Sequence, residues 1–174
     1  MRVVLTSLFL LVTTAAIAQM PYARMQMRPI KALSEQQITD LNAGRGMGLA
    51  LAAELNGYPG PSHVLELADK LELSSDQRTT VEGLFASMKA EAQPIGSKLI
   101  AQESELDRLF ASRAITPDTL KASTAAIAVT QGELRETHLK YHLSTAAILT
   151  PVQMQRYAEL RGYGDDKPRH QHRH

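Results

Sequence analysis

Apolar positions along this chain recur at threes and fours, and no stretch alternates polar and apolar over the length of a strand. Spacings of three and four place side chains on one face of a helix, whereas strict alternation would place them on one face of a strand. The longest such run opens at Leu73-Ser74-Ser75-Asp76-Gln77 and continues through Val81, Leu84, Phe85, Met88, Ala92, Ile95, Leu99, Leu106, Leu109 and Phe110. Ser74 reads as the N-cap, Gln77 as the third helical residue reaching back to it, and Asp76 as a complement to the helix dipole. Unbroken to Ala111, this helix would be roughly 55 Å long at 1.5 Å per residue. Pro94 inside it predicts a kink near Glu91, because proline removes one hydrogen bond and crowds the preceding turn.

A second long helix opens at Ile115-Thr116-Pro117, a cap followed by proline at the first helical position. Leu120, Ile127, Leu134 and Tyr141 then recur at sevens, the spacing of a helix lying along a partner. The few residues between the two long helices predict an antiparallel hairpin. Leu149-Thr150-Pro151-Val152-Gln153 opens a short last helix carrying Val152, Tyr157 and Leu160, stopped by Gly162 and Gly164. Upstream, Leu33-Ser34-Glu35-Gln36-Gln37 opens a helix expected to reach about residue 55, with Ile38, Leu41, Leu49, Ala52 and Ala53 as its buried positions. Gly44, Gly46 and Gly48 weaken its middle by about 1 kcal/mol each and suggest a bend or a close helix contact. They do not form a phosphate loop: no strand precedes them and no Gly-Lys-Ser/Thr follows. Asn56 to Pro61 reads as a tight loop, after which Ser62 would cap a short helix over 63–71 with Val64, Leu67, Ala68 and Leu71 on one face. The expected fold is all-α: a long antiparallel helical hairpin with short flanking helices.

The chain ends modify this picture. Arg2, the apolar run after it and Ala16-Ile17-Ala18 match a cleaved secretory signal over 1–18, too short for a stable membrane span. The mature chain is therefore expected to be exported. Residues 19–32, with Met20, Met25, Met27, Pro21 and Pro29, read as a flexible extended arm, residues 33–163 as one helical domain, and residues 164–174 as a disordered tail with His170, His172 and His174. Loss of Arg2 with the signal takes Lys+Arg from 19 to 18, equal to the 18 Asp+Glu. Such a balance offers no broad basic field, which excludes nucleic acid as a partner class. The absence of cysteine excludes a disulfide framework and thiolate chemistry.

No Gly-x-Ser-x-Gly elbow and no His-Glu-x-x-His stand in the sequence. Glu103, Glu105 and Asp107 crowd one stretch of a long helix, the pattern of a solvated face rather than of a catalytic pair. The chain is expected not to be an enzyme. The best candidate chemistry is His138 and His142, four apart and so on one helix face, able to share a metal ion. Because His138 also lies on the Leu134–Tyr141 stripe, a core histidine is the competing reading. Two ligands are too few for zinc or nickel, and His63 with Glu66 three residues on could supply the others.

The Leu-[Ser/Thr]-x-x-Gln helix starts at Leu73–Gln77 and Leu149–Gln153, with a looser copy at Leu33–Gln37, resemble those of the Spy/CpxP family of envelope stress chaperones. The same starts occur in their heavy-metal-resistance siblings of the CnrX and ZraP kind. The resemblance spans roughly residues 62–163. It implies a hairpin that forms a homodimer shaped as a curved cradle and holds unfolded client proteins without ATP. It also implies, in the metal-sensing branch, binding of zinc, nickel, cobalt or copper and an envelope sensor as partner. His138-x-x-x-His142 looks like that branch's helical histidine pair, with His63 and Glu66 as approximate matches to its other ligands. A metal-independent, ATP-free holdase is the alternative. Met88, Phe85 and Phe110 are then candidate client contacts, unless they are ordinary core residues.

Overall fold

The computed structural model describes residues 22–163, so the expected signal segment and the histidine tail lie outside the described residues. Among the described residues every regular element is helical. A single 3-10 turn at Met25–Met27 is followed by α1 (Glu35–Asn42), α2 (Leu51–Glu54), α3 (Pro61–Glu66), α4 (Ser75–Ala111), α5 (Pro117–Ala146) and α6 (Pro151–Arg161). The long pair α4 and α5 pack along each other as the expected hairpin, with α1 and α3 on α4 and α2 on α5. None of these helices is long and apolar enough to cross a membrane.

Local chemistry sets the starts of these helices. Ser34, Ser74, Thr116 and Thr150 each accept a hydrogen bond from the N–H three residues on, and each third residue reaches back to the cap. Each such cap contributes about 1 kcal/mol. At Thr116 the partner is Thr119, whose short hydroxyl does the work usually given to Glu or Gln. α4 runs unbroken through Pro94 over all 37 residues.

Two of the capping glutamines do more than cap. Gln77 and Gln153, at the starts of α4 and α6, exchange amide hydrogen bonds of 2.9 and 3.0 Å. The second amide hydrogen of Gln77 goes to the Ile148 carbonyl and that of Gln153 to the Leu71 carbonyl, at 3.0 and 3.3 Å. Both side chains are thereby fully satisfied, and the base of the hairpin is tied to α6 across 76 positions of sequence. Gln77→Ala and Gln153→Ala should each cost about 1–2 kcal/mol in urea unfolding, with a coupling of about 1 kcal/mol in the double mutant. Strict additivity would mean that the pair acts as two separate caps.

The packing forms two apolar clusters. One joins Leu33 and Leu41 to Ala92, Leu99, Ile127 and Leu134 midway along the hairpin. The other joins Val64, Leu71, Val81, Leu149 and Tyr157 at its base. In the first, α1 sits so close to α4 at Gly96 that an added Cβ would collide with the Leu41 carbonyl, whose carbon would be 2.9 Å away.

Four expectations need correction. The helix expected over 35–55 is two helices, separated by a loop in which Gly44, Met47 and Gly48 all take positive φ. That left-handed backbone cannot continue a helix. Of its expected buried positions Ala52 is exposed, while Ala50 and Glu54 are buried in its place. α3 starts at Pro61 behind Gly60 and stops at Glu66, with no side-chain cap from Ser62. Leu120 breaks the buried heptad stripe at 39% exposure, because α4 alone flanks it near the hairpin tip. The arm is tied down before residue 33: Ile30 is 6% exposed within the first cluster, and Lys31 bonds Asp107 through both its backbone N–H and its ammonium, the latter at 3.1 Å.

Candidate functional site

α2 lies on α5, and Ala50 just before it, Ala53 and Glu54 at its end are all buried. Glu54 is 4% exposed. Its Oε1 accepts the Tyr157 hydroxyl in a short hydrogen bond and the Tyr163 hydroxyl at 3.2 Å. Its Oε2 accepts the Gly60 N–H at 3.1 Å. Three cationic or potentially cationic groups surround it: His63 Nδ1 at 3.3 Å, Arg161 Nε at 3.6 Å and His142 Nδ1 at 3.7 Å. Burial alone would raise the Glu54 carboxyl pKa, but His63, the Tyr157 hydroxyl and the Gly60 N–H outweigh it and hold it at about 2. Burial and the same carboxylate push the Tyr157 phenol upward.

Glu54 forms one wall of a cleft of about 180 Å³ that also receives His63, His138, His142, Met47 and Met88. The helical pair reaches it as the i,i+4 spacing requires, and His63 enters from α3. His142 Nδ1 donates to the Tyr58 carbonyl at 2.6 Å, so in the neutral ring Nε2 carries the lone pair. Gly60 makes room for that ring: a Cβ there would lie 2.7 Å from His142 Nε2. His138 is 2% exposed, and its Nε2 has no hydrogen-bond partner. Burial, with His142 beside it, lowers the His138 pKa and favours the neutral, ligand-competent imidazole. His63 Nδ1 is also without a hydrogen-bond partner, since its approach to Glu54 is close but not aligned.

Glu66 does not join this group. It is exposed at the end of α3 and lines a separate cleft of about 400 Å³ with Arg45 and Lys89. Three helical positions turn a side chain through about 300°, and here the missing 60° puts Glu66 in the neighbouring groove. Glu54 takes the acidic place instead. A Glu following Ala52-Ala53 was its only trace in the sequence, and its tyrosine partners lie more than 100 positions away.

The donor types suit a borderline transition metal: three imidazoles, one carboxylate and two thioethers. As the side chains stand, no three His, Asp or Glu groups among the described residues converge closely enough to hold an ion. The donors share a cleft, and closing on a metal requires them to move. Of the candidate client contacts, Met88 is buried at the cleft, Phe85 is half-buried and Phe110 is exposed at 53%.

No family model matches the chain, and no curated protein and no solved structure matches it.

Proposed function

We propose that this chain is a non-enzymatic, metal-responsive protein of the periplasm, exported through a cleaved signal and acting as a homodimer. In this reading it binds a divalent ion (zinc, nickel, cobalt or copper) through His63, His138 and His142 with Glu54, and holds unfolded client proteins, in the manner of the Spy/CpxP chaperones and their metal-resistance siblings. One observation carries the reading: imidazoles from two separate helices line one small cleft, and the buried Nε2 of His138 has no hydrogen-bond partner among the described residues. An unsatisfied buried nitrogen costs about 1–3 kcal/mol, and a bound cation would recover that cost.

A second observation favours the metal-independent holdase. A groove of about 760 Å³ runs between α1, α4 and α5, lined by Leu33, Leu41, Leu49, Leu99 and Leu134 together with the polar Gln37, Asp40, Gln131 and Arg135. It is apolar enough to take a side chain of an unfolding client.

Titration of zinc, nickel and copper into the wild type and a His138→Ala/His142→Ala variant tests the first reading. The wild type should gain about 2.7 kcal/mol of stability at a hundred times the dissociation constant, and the variant should gain almost none. Equal binding in both would remove these histidines from the site. Aggregation of a denatured client with the metal chelated separates the second reading: full suppression without metal favours the plain holdase.

A further inference from the structure

Among the described residues Glu54 is the only acidic side chain lining the cleft, and its carboxylate is already engaged by α6. We infer that α6 is the read-out element of the metal cleft, latched through Glu54 to the ion-free protein and released at its C-terminal half when Glu54 turns to a bound cation. The inference rests on the proposed metal reading and concerns how occupancy of that cleft is sensed.

The latch follows from counting lone pairs. A carboxylate offers about four acceptor positions. Tyr157 and Tyr163 take both on Oε1, and the Gly60 N–H takes one on Oε2. A divalent cation among the three imidazoles would be the largest local charge in the cleft and would draw the Glu54 carboxylate. One Oε2 position is left, so Glu54 cannot bind a cation through both oxygens while Oε1 accepts the two tyrosine hydroxyls.

The start of α6 has its own tether. The Gln153 amide holds Gln77 and the Leu71 carbonyl and makes no contact with Glu54. Release at Tyr157, Arg161 and Tyr163 would therefore swing the end of α6 about a fixed base at Pro151–Gln153.

Linkage makes this testable in both directions, because whatever the metal does to α6, loosening α6 must do to the metal. Hydrogen exchange of the full chain, alone and with saturating zinc, nickel or copper, should show about tenfold faster exchange for amides 157–161, with amides 74–81 unchanged. Tyr157→Phe keeps the ring but removes the competing hydroxyl, and should bind the same ion roughly tenfold tighter. Tyr163→Phe, which loses the longer bond, should tighten binding less. A purely structural role for Tyr157 would leave affinity unchanged or weaken it. Metal binding without change in α6 exchange and without tighter binding by Tyr157→Phe overturns the latch and leaves the metal reading standing. No binding of any of the three ions overturns both.

Discussion

Replacement of Glu54 by alanine is expected to lower the stability of the metal-free protein by about 3–5 kcal/mol, the range for breaking a buried charge cluster from one side. Tm should fall by roughly 10 °C. The loss is large because Glu54 is the common acceptor for two tyrosines and a backbone N–H, and the ion-pair partner of His63, His142 and Arg161. The same carboxylate gives a pH signature. Its pKa falls from the ordinary 4.5 to about 2 on folding, so its contribution is complete above the ordinary value and drains as pH falls towards 2. The full amount is about 3 kcal/mol. Denaturant melts in chelator should therefore show the gap between wild type and Glu54→Gln closing between pH 4.5 and 2. A gap independent of pH would mean that Glu54 acts through shape alone.

The second large effect belongs to Gly96. Glycine inside a helix usually costs about 1 kcal/mol against alanine, so Gly→Ala should stabilise wherever space allows. Gly83 in α4 and Gly132 in α5 have nothing within 4 Å of a built Cβ, and alanine there should stabilise by about 0.5–1 kcal/mol. Gly96 reverses the sign. Its Cβ would meet α1 backbone, which cannot rotate away as a side chain can, and overpacking of this kind costs about 1–3 kcal/mol or more. Gly96→Ala should leave a net loss of about 2 kcal/mol and lift α1 off the hairpin, as read from urea melts and from faster exchange of amides 38–42. Stabilisation by all three substitutions would show that α1 yields easily.

The sequence made the frame of this fold readable because its helix starts are local chemistry. Ser34, Ser74, Thr116 and Thr150 cap where their neighbours say they should, and α6 has the bounds that Thr150-Pro151 and Gly162 announce. What local pattern does not carry is the meeting of distant pieces. The reciprocal amides of Gln77 and Gln153 look like two independent caps until the chain is folded. The break at Gly44–Gly48 turns on a left-handed Met47, which no propensity announces. For the candidate site, helical periodicity put His138 and His142 on one face, and both are buried, whereas no local pattern places His63, on α3, at the same cleft. It failed for the acid, since adjacency in sequence favoured Glu66 whereas Glu54 is buried by contacts with residues near the far end of the chain.

The exposed hairpin tip has a consequence for how this protein comes apart. From residue 111 to 126 no residue is buried, while the two apolar clusters and the glutamine clasp hold the middle and the base. Stability is therefore graded along the hairpin rather than shared. The tip can separate in a sub-global opening that leaves both clusters intact, at a fraction of the free energy of complete unfolding. Such an opening would further expose Leu109, Phe110 and Leu120 while the histidine cleft and α6 stay folded, so the two ends of the molecule can fluctuate on separate energy scales.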